Sequence, residues 1–222
     1  VDDQKIRALE VRDRLLKAYG QPVWRVKLPP LDELVSTILS QNTNDVNRDR
    51  AFDSLRAAFP TWEQVRDAPT EAVIDAIRTA GLANQKGPRI QNVLRAITEE
   101  VGSLDLSLLA EIPVAEARKW LLRFKGVGPK TAAIVLLFSL DKPAFPVDTH
   151  IYRVTGRLGL RPQKMNADAA HHHLEQLFPH ESYYDVHLNI IRLGREVCHA
   201  RQPACRDCML NDICPYFQAQ KV

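Results

Sequence analysis

The first 197 residues of this 222-residue chain contain no cysteine, and no region alternates polar and apolar residues between hairpin turns. No apolar run approaches the roughly 20 residues that span a bilayer. The longest largely apolar run, Thr131 to Leu140, stops at Asp141-Lys142-Pro143, so no membrane crossing or membrane partner is expected. The opening Val1-Asp2-Asp3-Gln4-Lys5 lacks the apolar core of a signal peptide, which makes the cytoplasm the default compartment. With 9 Gly, 14 Pro and no repeat or low-complexity tract, collagen-like and disordered classes fall away. A composition of 45% hydrophobic and 26% charged residues is ordinary for a globular protein, and the length suits one large or two small domains.

What is present reads as helix. Leu31, Leu34, Val35, Ile38 and Leu39 follow the spacing of a one-faced helix, and Ile90, Val93, Leu94, Ile97 and Val101 repeat it. Thr61 with Gln64 is a capping-box signature, and Gly81 and Gly102 stand where helices would stop. These signals predict an all-α protein of about ten short helices.

Three places interrupt the pattern. The first is the polar run Ser40-Gln41-Asn42-Thr43-Asn44-Asp45, in which Asp45 is expected to cap the next helix, with Phe52, Leu55 and Phe59 on its apolar face. Six consecutive hydrogen-bonding side chains exceed what a cap requires, and composition alone does not assign them.

The second is Phe124-Lys125-Gly126-Val127-Gly128-Pro129-Lys130-Thr131. Phe124 and Pro129 stand where a nucleotide phosphate loop needs glycine, and Thr131 replaces the last glycine of a dinucleotide loop, so both of those sites are excluded. Val114 to Leu122 reads as a short helix before the turn, and Ala132 to Leu140 as a buried one after it, with Pro129 in its first turn. Helix, Gly-Val-Gly turn and helix make a helix-hairpin-helix. A phosphodiester can approach two residues without Cβ atoms, and the free amides and dipole of the second helix favour an anion there. Such a hairpin holds a nucleic-acid backbone without reading sequence; a plain helical corner is the simpler alternative. Net charge is only +3, but Arg118, Lys119, Arg123, Lys125 and Lys130 form a basic stripe with no Asp or Glu among them.

Lys130 opens a nearly all-apolar helix at its positive end, where partial burial and the dipole would both lower an amine's pKa and make it a better nucleophile. Amines of this kind form Schiff bases with electrophilic carbons. Downstream, Asp148 is the expected N-cap of a helix carrying Ile151, Tyr152, Val154 and Leu158. If it faces Lys130, its carboxylate can stabilise a developing cation or manage a proton.

The third interruption is Cys198, Cys205, Cys208 and Cys214, spaced C-x6-C-x2-C-x5-C. Disulfides are disfavoured in a cytosolic chain, which leaves a four-thiolate metal site. Zinc usually takes two separated C-x2-C knuckles, whereas one such pair with longer arms suits a 4Fe-4S cluster with one thiolate per iron. Arg195, Arg201 and Arg206 surround these ligands. His171-His172-His173 invites a metal assignment, but adjacent helical residues point about 100° apart, so exposed helix residues are expected.

The segments Gly126 to Ala132 and Val147 to Val154 and the cysteine spacing together resemble the endonuclease III family of helix-hairpin-helix (HhH-GPD) DNA glycosylases. The likeness runs in order from about Leu31 to Cys214. It implies two helical lobes: a six-helix barrel at residues 27–141 containing the hairpin, and a cluster lobe combining residues 1–26 with 142–222. It also implies excision of damaged, chiefly oxidised, pyrimidines from double-stranded DNA by a monomer, at the nucleoid in a prokaryote or in the nucleus or mitochondria of a eukaryote. On this resemblance Asp148 assists loss of the base, Lys130 attacks the sugar C1′, and the Schiff base permits β-elimination that nicks the strand. Asn42 and Leu82 match the residues that fill the gap left by the rotated base. Lys125, Gly126, Val127, Gly128, His150, Arg195 and Arg201 are the further candidate DNA contacts.

The sequence departs from the family at three places. Asn42 stands where Gln is usual, Lys125 replaces a proline, and Leu193 replaces a histidine. These put substrate range in doubt, so mismatched bases and abasic sites stay open as targets. A non-catalytic DNA-binding member of the same fold would need neither Lys130 nor Asp148, and an electron carrier would leave the hairpin idle.

Overall fold

The computed structural model describes residues 2–23 and 26–220. Thirteen α-helices and three short 3-10 turns, with no strand, make up the described residues. The excess over ten comes from segments such as Trp62–Asp67, Leu108–Glu111 and Pro215–Gln218, which are too short to complete an amphipathic repeat. No helix among the described residues is long and apolar enough to cross a membrane. The chain divides into two compact units, Lys27–Lys142 and Val1–Val26 with Pro143–Val222.

In the Lys27–Lys142 unit, Pro30–Leu39 packs against Pro129–Leu140. The predicted stripe of Leu31, Leu34, Val35, Ile38 and Leu39 is buried, as are Ile90, Val93, Leu94 and Ile97 of Ala83–Val101. Each such side chain contributes about 1.5–3 kcal/mol on burial. Thr61 and Gln64 form both bonds of the capping box, and Gly102 ends Ala83–Val101 in the left-handed conformation. Two expectations shift. Asn44, not Asp45, caps Asp45–Ala58, its side chain accepting from the Asn47 amide at 2.8 Å; Asp45 instead becomes the first helical residue and pairs with Arg48. Gly81 closes the 3-10 turn Arg78–Ala80 instead of an α-helix.

In the second unit, the Asp2–Tyr19 helix is held to the later segments by Arg14 on Asp212 at 2.6 Å, by the Gln4 amide on the Gly159 carbonyl, and by Asn189 on the Gly20 carbonyl. Phe145 lies at the centre, stacked on Phe178 and edge-on to Tyr183. The histidine triplet corrects the expectation of three exposed residues. His171 is buried with its Nδ1 2.9 Å from the Phe145 carbonyl, His173 is half-buried against the Leu160 carbonyl, and His172 alone is exposed. The helix turns one of three adjacent residues inward, and a backbone carbonyl satisfies the buried ring.

Candidate functional site

The hairpin is anchored from below. Phe124 and Val127 are buried, the Val127 amide donates to the Phe124 carbonyl at 3.0 Å, and Trp120 meets Phe124 edge-on. Val127 can therefore offer a ligand only its backbone. Gly126 has φ +98°, and a Cβ there would lie 2.4 Å from the Arg89 side chain, so packing and backbone both require glycine. Gly128 is different: its φ is −96° and an added Cβ would meet nothing within 4 Å. The fold does not demand glycine at that position, which leaves open space beside the backbone for an approaching group.

Gly128 begins Pro129–Leu140 with no side-chain cap, Pro129 has no N–H, and the first intrahelical bond is from the Ala132 amide to the Gly128 carbonyl. The amides of Lys130 and Thr131 lie ahead of that bond, at the positive end of the helix. Lys130 is half-buried and makes no ion pair or hydrogen bond among the described residues. Lys125, on the other side of the Gly-Val-Gly turn, is exposed. The basic stripe is weaker than its composition implies, because Arg123 pairs with Glu100, which also accepts from the Trp120 indole.

Two other segments of the same unit carry Asn42 and Leu82. Asn42 is exposed with φ +53°, and Leu82 is 47% exposed with φ +50°. Left-handed non-glycine residues cost about 1–2 kcal/mol each. Side chains the sequence reading passed over join these segments to the hairpin. Gln41 accepts from Arg89 at 2.5 Å and donates to the Gly126 carbonyl at 3.4 Å, while Lys86 donates to Leu39 and Ala80. The available signal was Lys86 itself, a charge in register with the apolar stripe of Ile90, Val93, Leu94 and Ile97.

Asp148 belongs to the other unit and is the N-cap of Thr149–Arg157, accepting from the Ile151 amide at 2.7 Å. His150 is occupied within that unit: Arg153 lies 3.1 Å from its Nδ1, and Gly194 packs closely on the ring. Burial lowers its pKa, against the opposing pull of Asp148. Arg195 and Arg201 are exposed.

The four cysteines are unbridged and all line one cavity, with Val154, Leu158, Leu193 and Val197 among its walls. Among the described residues, no three His, Cys, Asp or Glu side chains converge closely enough to hold one metal ion. Arg157 donates to the Cys198 sulfur at 3.2 Å and to the His199 and Ala200 carbonyls, and Arg153 donates to the Cys198 carbonyl. Neither arginine was flagged by spacing, because both sit on a helix more than 40 residues before their acceptors.

Residues 35–180 match the profile of the HhH-GPD superfamily of base excision DNA repair proteins. The chain is 36% identical over 186 residues to endonuclease III of Sulfolobus acidocaldarius, covering 83% of this chain and 81% of that protein. It is 40% identical over 165 residues to a predicted DNA glycosylase of Arabidopsis thaliana, covering 74% of this chain and 56% of that longer protein. Among solved structures, a trapped endonuclease III–DNA covalent intermediate superposes with a TM-score of 0.85 at 26% identity, covering 98% of this chain and 99% of that one.

Proposed function

The chain belongs to the HhH-GPD superfamily of base excision DNA repair proteins, and from that premise we propose that it is an endonuclease III-like DNA glycosylase and AP lyase acting as a monomer on oxidised pyrimidines in duplex DNA. The observation that carries this reading is the start of Pro129–Leu140. There an unpaired lysine amine follows a glycine that the fold itself does not need. A phosphate seated against the Gly128 backbone and the free amides would set the neighbouring sugar within reach of Lys130.

A lesion stacks poorly, which lowers the cost of rotating it out of the duplex. Leu82 is the wedge and Asn42 the hydrogen-bonding plug for the orphaned base, an apolar and polar pair of the kind such distortion calls for. The Lys130 amine adds at C1′ as the base departs with the electrons of the glycosidic bond, and the Asp148 carboxylate offsets the positive charge that develops on the sugar. The C1′–O4′ bond then breaks, O4′ taking up a proton that the amine gives up, and the Schiff base so formed acidifies the 2′ carbon; loss of a proton there expels the 3′ phosphate and nicks the strand.

Borohydride should trap a covalent adduct between the wild-type chain and lesion-bearing duplex, and none with Lys130→Gln. Trapping at an unchanged level in the variant would remove Lys130 from this role. A panel of duplexes, each with one lesion, ranks oxidised pyrimidines against mismatches and abasic sites, where the shorter Asn42 matters most.

The four cysteines fit a 4Fe-4S cluster. All four cysteines line a single cavity, and one C-x2-C pair with longer arms on either side suits one thiolate per iron better than the paired knuckles of a structural zinc. When bound, the cluster supplies cross-links through residues 198–214, which hold too few apolar side chains to fold alone. Arg157 orients Cys198 and ties down the following carbonyls.

A further inference from the structure

Lys86, in the first turns of Ala83–Val101, is not used by the scheme above. It is 1% exposed, and its ammonium meets no carboxylate: Nζ donates to the Leu39 carbonyl at 2.7 Å and to the Ala80 carbonyl at 2.8 Å. A buried cation without an anion is unfavourable, so its partners call for a reason. Both acceptors end an element. Leu39 closes Pro30–Leu39, whose dipole leaves negative charge on that carbonyl, and Ala80 closes the turn Arg78–Ala80.

The positions that follow are the two proposed gap fillers. Asn42 comes three residues after Leu39, and Leu82 two residues after Ala80, both left-handed and both exposed. Strained conformations of this kind persist only where their surroundings over-determine them. Among the described residues, Lys86 is the side chain that hydrogen-bonds the flank of each. One turn on, Arg89 donates to Gln41, which donates to the Gly126 carbonyl, and the Arg89 stem fills the space beside Gly126.

We propose that Lys86 is a positioning residue that fixes the spacing of the Asn42 and Leu82 loops, with Arg89 linking them to the hairpin, so that plug and wedge enter the opened duplex together. This rests on the glycosylase reading above and adds to it the element that keeps the two loops in register. A lysine that merely satisfied two carbonyls would stabilise the fold without distinguishing one DNA substrate from another.

The test compares single-turnover base release from a duplex bearing one oxidised pyrimidine with nicking of an abasic site in a single strand, which has no gap to fill. Lys86→Met should slow duplex release about tenfold and leave single-strand nicking within about twofold. In a Leu82→Ala background, Lys86→Met should add less than about twofold, because the two changes remove one function. Equal loss on both substrates, or a full additional loss without Leu82, overturns the proposal. If circular dichroism shows that Lys86→Met does not fold, Arg89→Met decides: it keeps the stem on Gly126, loses the bond to Gln41, and should give the same substrate split at smaller size. Unchanged duplex release by Arg89→Met then overturns the proposal. A wild-type chain that nicks neither substrate instead removes the glycosylase and lyase reading itself.

Discussion

Lys86 and Asn42 show how a single residue's environment outweighs its type. Burial, and then the charge of Arg89, pull the Lys86 pKa from the ordinary 10.5 to about 8. Below about pH 8 the amine is protonated in both folded and unfolded chains, and the cost of burying its charge is constant. Between there and 10.5 the folded chain has released a proton that the unfolded chain keeps, so stability rises with pH through that window. Two N–H groups remain on the neutral amine, enough for Leu39 and Ala80. Denaturant unfolding should therefore show the stability difference between wild type and Lys86→Met shifting toward wild type from about pH 8 to about pH 9.5, by up to about 1.4 kcal/mol per pH unit. A difference that stays flat would mean that the ammonium is solvated. Asn42, by contrast, is exposed and left-handed, a conformation that asparagine tolerates better than most residues.

At the scale of the helix, Asp148 joins a structural and a chemical assignment that can be separated. Asparagine caps a helix as well as aspartate does, so Asp148→Asn should keep the bond from the Ile151 amide and change stability by less than about 0.5 kcal/mol, while Asp148→Ala should cost about 1 kcal/mol. Base release should fall at least about a hundredfold in both, because neither retains the carboxylate. Near-normal release by the asparagine variant would leave Asp148 as a cap alone. Caps and stripes were readable from sequence wherever the deciding contact is within one turn, as at Thr61 with Gln64. The shift from Asp45 to Asn44 is a move of one residue between two residue types that both cap well, a choice that residue type alone does not make.

At the scale of the whole molecule, the terminal segments of one unit are joined by contacts such as Arg14 with Asp212, and the cysteine segment closes on a cavity walled by Thr149–Arg157 and Tyr183–Glu196. The purified chain should be brown and hold about four iron atoms, one per thiolate. Cys208→Ala should lower the iron content and raise amide hydrogen exchange across residues 198–214; stoichiometric zinc in a colourless wild-type protein would reject the cluster. The amino-acid sequence by itself determined the helical class, the hairpin, the cap at Asp148 and the clustering of thiols, because each is set by residues within a turn or a short loop of one another. Only the tertiary structure decided that Lys86 is buried between Leu39 and Ala80, that Gln41 reaches Gly126, that Glu100 takes the charge of Arg123 and that His171 turns inward. The longest of these contacts joins residues 85 positions apart, and at such separations a partner is chosen by packing, which no local pattern of residue types encodes.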